Sequence, residues 1–124
     1  RPVLVAEGLA SYFDADGRAQ LFAAVADALR RNRGGAFVVD LHTADAQARF
    51  GRATKTLRFA IRTLTGRRHA LDPFVDEAAL ATALRTAGFD GHRIAVARDH
   101  LARKPELAGL SSPAHVVHAW VDRG

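Results

Sequence analysis

Three ionisable side chains stand where the chain leaves an apolar run. Glu7 follows Val3-Leu4-Val5-Ala6, and Asp40 and His42 close the run Ala36-Phe37-Val38-Val39-Asp40-Leu41-His42-Thr43. Short continuous apolar runs suit parallel strands covered on both faces. In open α/β sheets ligands bind just beyond the carboxyl ends of such strands. Glu7 is therefore a candidate ligand-binding carboxylate, and Asp40 a candidate on the substrate side. His42, with an unperturbed pKa near neutrality, suits a general base for a substrate hydroxyl. The plainer alternatives are a loop cap for Glu7 and a hydrogen-bonded structural role for His42.

Other chemistries lack their residues. There is no cysteine, which excludes disulfides and thiolate metal sites. No GxGxxG, P-loop, HExxH or nucleophile elbow is present. Ser11, Ser111 and Ser112 have no hydrolase signature around them. Asp14-Ala15-Asp16-Gly17 lacks the remaining ligand positions of a calcium loop. His115 and His118 fall on opposite faces of one predicted strand, a poor metal pair, so no metal site is expected.

The elements that must position these groups follow from periodicity. Asp14 is a good N-cap, and Leu21, Phe22, Val25, Ala28 and Leu29 make the apolar stripe of a helix running to about Arg31. Arg30, Arg31 and Arg33 complement its negative end, and Gly34-Gly35 stop it. Strand, helix and strand at this spacing predict a βαβ unit with parallel neighbouring strands, which puts Glu7, Asp40 and His42 on one rim. Ala44 to about Thr65 is the longest helical pattern, with Ala46, Phe50, Ala53, Leu57, Ala60, Ile61 and Leu64 on its apolar side. Arg49, Arg52, Lys55, Arg58 and Arg62 take the rest, either a solvated face or a wall attracting an acidic substrate. After the Asp72-Pro73 turn, Asp76 caps a further helix that Gly88 ends, with Phe89 docked behind it. The extra helix before the third strand is a candidate lid or substrate wall. Arg93 to Ala97 is a short third strand, Asp99 to Ser112 a long polar connection, and His115 to Val121 the last strand. A last strand reached without a helical crossover pairs antiparallel, which predicts a mixed edge.

The chain of 124 residues suffices for one domain with one core. No apolar run approaches the roughly 20 residues of a membrane span, and the opening residues carry no signal-peptide pattern. With no cysteine, a reducing compartment is permitted, and the cytoplasm is the expected location. Methionine is absent even at position 1, which leads us to expect a piece of something longer. The net charge of +5 raises the question of a nucleic-acid partner. Sixteen of the eighteen basic residues are arginine, as a GC-rich genome would also give, and they are spread over several elements. One tyrosine and one tryptophan offer little base stacking, so neither a nucleic-acid nor a membrane partner is expected.

Val5-Ala6-Glu7-Gly8-Leu9, with Tyr12 five residues after the acid, resembles the "AEGL…Y" segment of the leucine carboxyl methyltransferase-like family. That family includes bacterial O-methyltransferases of polyketide-type natural products. Leu84-Arg85-Thr86-Ala87-Gly88-Phe89 is similar to the "L…AGF" that precedes the sixth strand in many class I S-adenosylmethionine-dependent methyltransferases. The order of elements resembles the carboxyl-terminal half of that Rossmann-like α/β fold, so residues 1–124 are expected to form one partial methyltransferase domain. The half that carries the glycine-rich motif and the ribose-binding acid has no counterpart here. The resemblance implies S-adenosyl-L-methionine as cofactor, with Glu7 and Gly8 binding it and Tyr12 beside cofactor or substrate; Tyr12 joins His42, which matches no family motif and rests on its strand-end position alone, as the catalytic candidates. It implies methyl transfer to a carboxylate or hydroxyl oxygen of a small molecule. The alternative is a non-catalytic, dimerising α/β interaction domain derived from a methyltransferase, so a second copy of the chain is the other expected partner.

Overall fold

The structure is a computed structural model. It describes residues 1–48, 56, 59–60, 63–64, 66, 72–96, 99, 103–107, 112 and 114–124. Four strands form one sheet: β1 (Val3–Ala6), β2 (Gly35–His42), β3 (Gly91–Val96) and β4 (Ala114–Val121). Their order across the sheet is β1-β2-β4-β3. β1 pairs parallel with β2, and β4 runs antiparallel to both β2 and β3. The fold is thus the expected α/β half-sheet, two parallel strands continued into a mixed antiparallel part. The last strand does not add to the outside. It inserts between β2 and β3 and leaves β3 as the edge.

Local chemistry sets the helix limits. In α1 (Ala15–Arg31) the Asp14 side chain accepts from the Gly17 amide at 2.8 Å, and Asp16 adds charge to the first turn. In α3 (Glu77–Thr86) the Asp76 side chain accepts from the Ala79 amide at 2.7 Å. Gly88, at φ +98°, ends that helix and turns Phe89 inward, where it is buried. A short helix α2 (Ala44–Ala48) follows β2 directly. Thr56, Phe59, Ala60, Thr63 and Leu64 are helical, as the long pattern after Ala44 predicts. The basic surface expected at Arg49, Arg52, Lys55, Arg58 and Arg62 lies outside the described residues, as do Ala97, Ser111 and half of the polar connection. Leu64, expected on a packed stripe, is exposed instead. Periodicity defines such a stripe without supplying anything for it to pack on.

One face of the sheet carries the core. Phe22, Ala26 and Leu29 of α1 and Leu80 and Leu84 of α3 pack on Phe37, Val39 and Leu41 of β2 and Val117, Ala119 and Val121 of β4. The alternation along β4 is the predicted one, with Val117, Ala119 and Val121 inward and Val116 and His118 outward. Aromatic rings tie the layer together, with Phe22 edge-on to Phe37 and Phe37 stacked on Phe89. Each fully buried Phe or Leu contributes on the order of 1.5–3 kcal/mol through lost apolar exposure.

The expectation that β1 is covered on both faces is overturned. Val3, Leu4 and Val5 are exposed, and Ala6 alone is buried. The cause is position: β1 is an edge strand, its outer side pairs with no described strand, and no described helix lies over Val3 and Val5. Among the described residues, no helix is long and apolar enough to cross a membrane.

Candidate functional site

The carboxyl ends of β1 and β2 open side by side, because the parallel register sets Ala6 against Val39. The antiparallel β4 begins at the same rim, with Ala114 opposite His42. A cleft of about 360 Å³ lies there, lined by Val5, Ala6, Val38, Val39, Ala114 and Val116 and by the carboxylate-bearing Glu7 and Asp40. Such a volume falls within about 300–1,000 Å³, the range of small-molecule sites.

Gly8 explains how the chain leaves β1. Its φ of +64° is a left-handed conformation that glycine adopts without strain. The turn aims the Gly8 amide at Asp40, whose Oδ1 accepts it at 2.6 Å. Asp40 is thus partly committed to holding the loop, while Glu7 stays exposed at the mouth. The loop continues into a 3-10 turn at Ala10–Tyr12 that buries Ala10 and Ser11 and leaves Tyr12 exposed.

His42 lies two residues beyond Asp40 on the same face of β2 and is half-buried. Its Nδ1 lies 3.4 Å from the Ser11 hydroxyl. Burial pulls the imidazole below its ordinary pKa; Asp40 pushes it up, and His115 adds a smaller downward push. The ring is therefore neutral at neutral pH, the form a proton acceptor requires. His115 itself is buried on the covered face, where its Nε2 meets the Thr43 hydroxyl at 2.9 Å.

The structure thus brings together Glu7, Gly8, Asp40 and His42 at one rim. Tyr12 is close in sequence, but its side chain is turned to solvent. Ser11 and His115 join the His42 environment without any motif to announce them. Ser11 is on a turn whose burial follows from the loop path, and His115 reaches the rim through the β2–β4 register.

The sequence matches no family model and no curated protein. Solved structures do match in fold. One is a candidate exported protein from Bordetella parapertussis, 19% identical, with a TM-score of 0.58 over 97% of this chain and 38% of that one. Another is a candidate O-methyltransferase from Nostoc punctiforme, 15% identical, with a TM-score of 0.55 over 95% of this chain and 30% of that one. The chain shares its α/β fold with the matching part of each of these two proteins. It spans 38% and 30% of the length of these two proteins.

Proposed function

We propose that this chain is the carboxyl-terminal half of an S-adenosyl-L-methionine-dependent O-methyltransferase domain acting on a small molecule, with a carboxylate or hydroxyl oxygen as acceptor. The observation that carries the reading is the cleft where Glu7 and Asp40 converge at the carboxyl ends of two parallel strands. The fold likeness to a candidate O-methyltransferase supports it, as does the AEGL segment that supplies Glu7 and Gly8.

The donor set fits the cofactor. S-adenosyl-L-methionine carries an ammonium and a sulfonium, and two carboxylates at the rim of an apolar cleft favour a cation with an apolar body. Glu7, exposed and uncommitted to the loop, would accept from the ammonium; Asp40, through the Gly8 amide, fixes the loop on which Glu7 stands. The cofactor supplies an already activated methyl group, so what the chain contributes is binding, orientation and proton acceptance. His42, neutral at neutral pH, would take the proton from an acceptor hydroxyl. A carboxylate acceptor would not need it. Tyr12 would border the substrate from the 3-10 turn.

Calorimetric titration with S-adenosylhomocysteine tests the reading. Saturable binding by the folded chain is expected, and Glu7→Ala should weaken it with the thermal melt unchanged. A folded chain that gives no binding would contradict it. Unchanged affinity in Glu7→Ala would remove that carboxylate from the site.

A further inference from the structure

β1 is an edge of the sheet, and its outer side pairs with no described strand. Native edges are commonly blunted by a charge or by a proline that removes an outward amide. Val3-Leu4-Val5-Ala6 holds neither. Pro2 stands just before the strand, but its carbonyl accepts from the Ala36 amide at 3.0 Å. The backbone of Pro2 therefore faces β2, and its missing amide does not blunt the free edge. The N–H and C=O of one residue leave a strand on the same side, and successive residues alternate. Pro2, Leu4 and Ala6 thus serve β2, while the N–H and C=O groups of Val3 and Val5 point outward.

The side chains agree with the backbone. Val3, Leu4 and Val5 are all exposed, Val3 and Val5 on the open face and Leu4 on the other. The segment is also self-complementary. Arg1-Pro2-Val3-Leu4-Val5-Ala6-Glu7 places a cation three residues before Leu4 and an anion three residues after it. Two such strands, antiparallel about a two-fold axis at Leu4, set Val3 opposite the second copy's Val5 and Arg1 opposite the second copy's Glu7. The outward amides and carbonyls of the valines then form hydrogen-bonded pairs, and Leu4 meets its own counterpart in the closer, non-hydrogen-bonded kind. A slip of one residue would oppose outward groups to inward ones. A slip of two would lose both charge pairs.

We propose that a second copy of this chain docks on β1 in this antiparallel register, joining two four-stranded sheets into one of eight strands. An isologous contact needs a surface complementary to itself, and this strand is so in its backbone groups, its valines and its charges. Exposed ion pairs fix register more than they add strength, so Glu7 stays available to a cofactor ammonium. The inference does not rest on the methyl-transfer reading.

Sedimentation equilibrium of the chain should show a concentration-dependent monomer–dimer equilibrium. The chain has no cysteine, so single cysteines report the register directly. Under mild oxidation Leu4→Cys should be captured as a disulfide dimer, because residues opposite each other in a non-hydrogen-bonded pair stand about 4.5 Å apart between Cα atoms, within disulfide reach. Val3→Cys should not be captured, because its counterpart is displaced by two residues along the strand. A chain that stays monomeric at every concentration, or a Leu4→Cys variant captured no faster than Val3→Cys, would overturn the proposal. Val3→Pro deletes an outward amide that β2 does not use and should weaken association about tenfold. Undiminished association of that variant would also overturn it. Should Val3→Pro not fold, cysteine capture decides alone. No S-adenosylmethionine derivative enters these experiments, so their failure is separate from that of the proposed activity.

Discussion

On the face under α1 and α3, Phe37, Val39, Leu41, Val117, Ala119 and Val121 are at most 2% exposed, while on the opposite face Val3, Val5 and Val116 are 60%, 70% and 50% exposed. β4 supplies members of both sets, at alternate positions. What differs is cover. Two helices seal one side into a packed core, while on the other side the 3-10 turn at Ala10–Tyr12 reaches only the end of β2, at His42. Stability therefore resides on one face, and the carboxylates Glu7 and Asp40 stand at an open cleft beside the other. The division suits a cation-binding cleft on the open side, while Arg18, buried, stands on the packed side.

The largest effect should come from emptying the covered face. Phe37→Ala removes a ring that contacts both Phe22 and Phe89 and should cost about 3–5 kcal/mol in urea denaturation. Val5→Ala, on the open face, should cost no more than about 0.5 kcal/mol. Equal losses would mean that the two faces are equally packed, and the comparison would fail.

Next comes Gly35→Ala, at the start of β2. A Cβ there would stand 2.6 Å from the Pro2 carbonyl oxygen and 2.8 Å from a Leu29 methyl. Main chain and core would both have to shift, at about 1–3 kcal/mol. A melt like that of the parent would show that β1 can slide away from β2, and the shared rim would lose its definition.

Glu7→Ala sharpens the comparison from the other side. It should weaken S-adenosylhomocysteine binding about tenfold, as loss of a charge-assisted hydrogen bond does, while stability stays within about 0.5 kcal/mol. A large loss of stability would make Glu7 structural.

The smallest effect concerns pH. His42 has a folded pKa below its ordinary value near 6.5, chiefly through burial. The unfolded chain then binds the proton first as pH falls, so stability is full above about 6.5 and declines as pH drops from there toward the folded pKa. His42→Gln should flatten that part of the profile, as followed by melting temperature between about pH 5 and 7.5. A His42 imidazole resonance that titrates above the ordinary value would reverse the sign and make Asp40, not burial, its dominant neighbour.

Much of this architecture is written locally. Asp14 and Asp76 cap the helices they were expected to cap, because an N-cap needs only its own side chain and the amide three residues on. The β1–α1–β2 unit is equally legible, since a short crossover leaves the two strands parallel and adjacent. Three features depend on tertiary context. The apolar run of β1 reads as covered, but cover is a property of what packs on it. The place of β4 between β2 and β3 is set by pairing across the sheet, which no local signal carries. Arg18 looks like an ordinary polar residue of a helix start, and only the approach of Phe74 and α3 encloses it. At the candidate site, Glu7, Asp40 and His42 were legible from their positions at strand ends. Ser11 was not, because its contact with His42 spans 31 residues and depends on the turn that follows Gly8.

The central claim is that the Glu7–Asp40 cleft is built for S-adenosylmethionine. The most direct test is the amide NMR spectrum of the isotopically labelled chain during titration with S-adenosylhomocysteine, which detects weak as well as tight binding. The account predicts saturable shifts concentrated at Ala6, Glu7 and Gly8 and at Val38 to Asp40. An unperturbed spectrum of a folded chain, or shifts that avoid that rim, would contradict it.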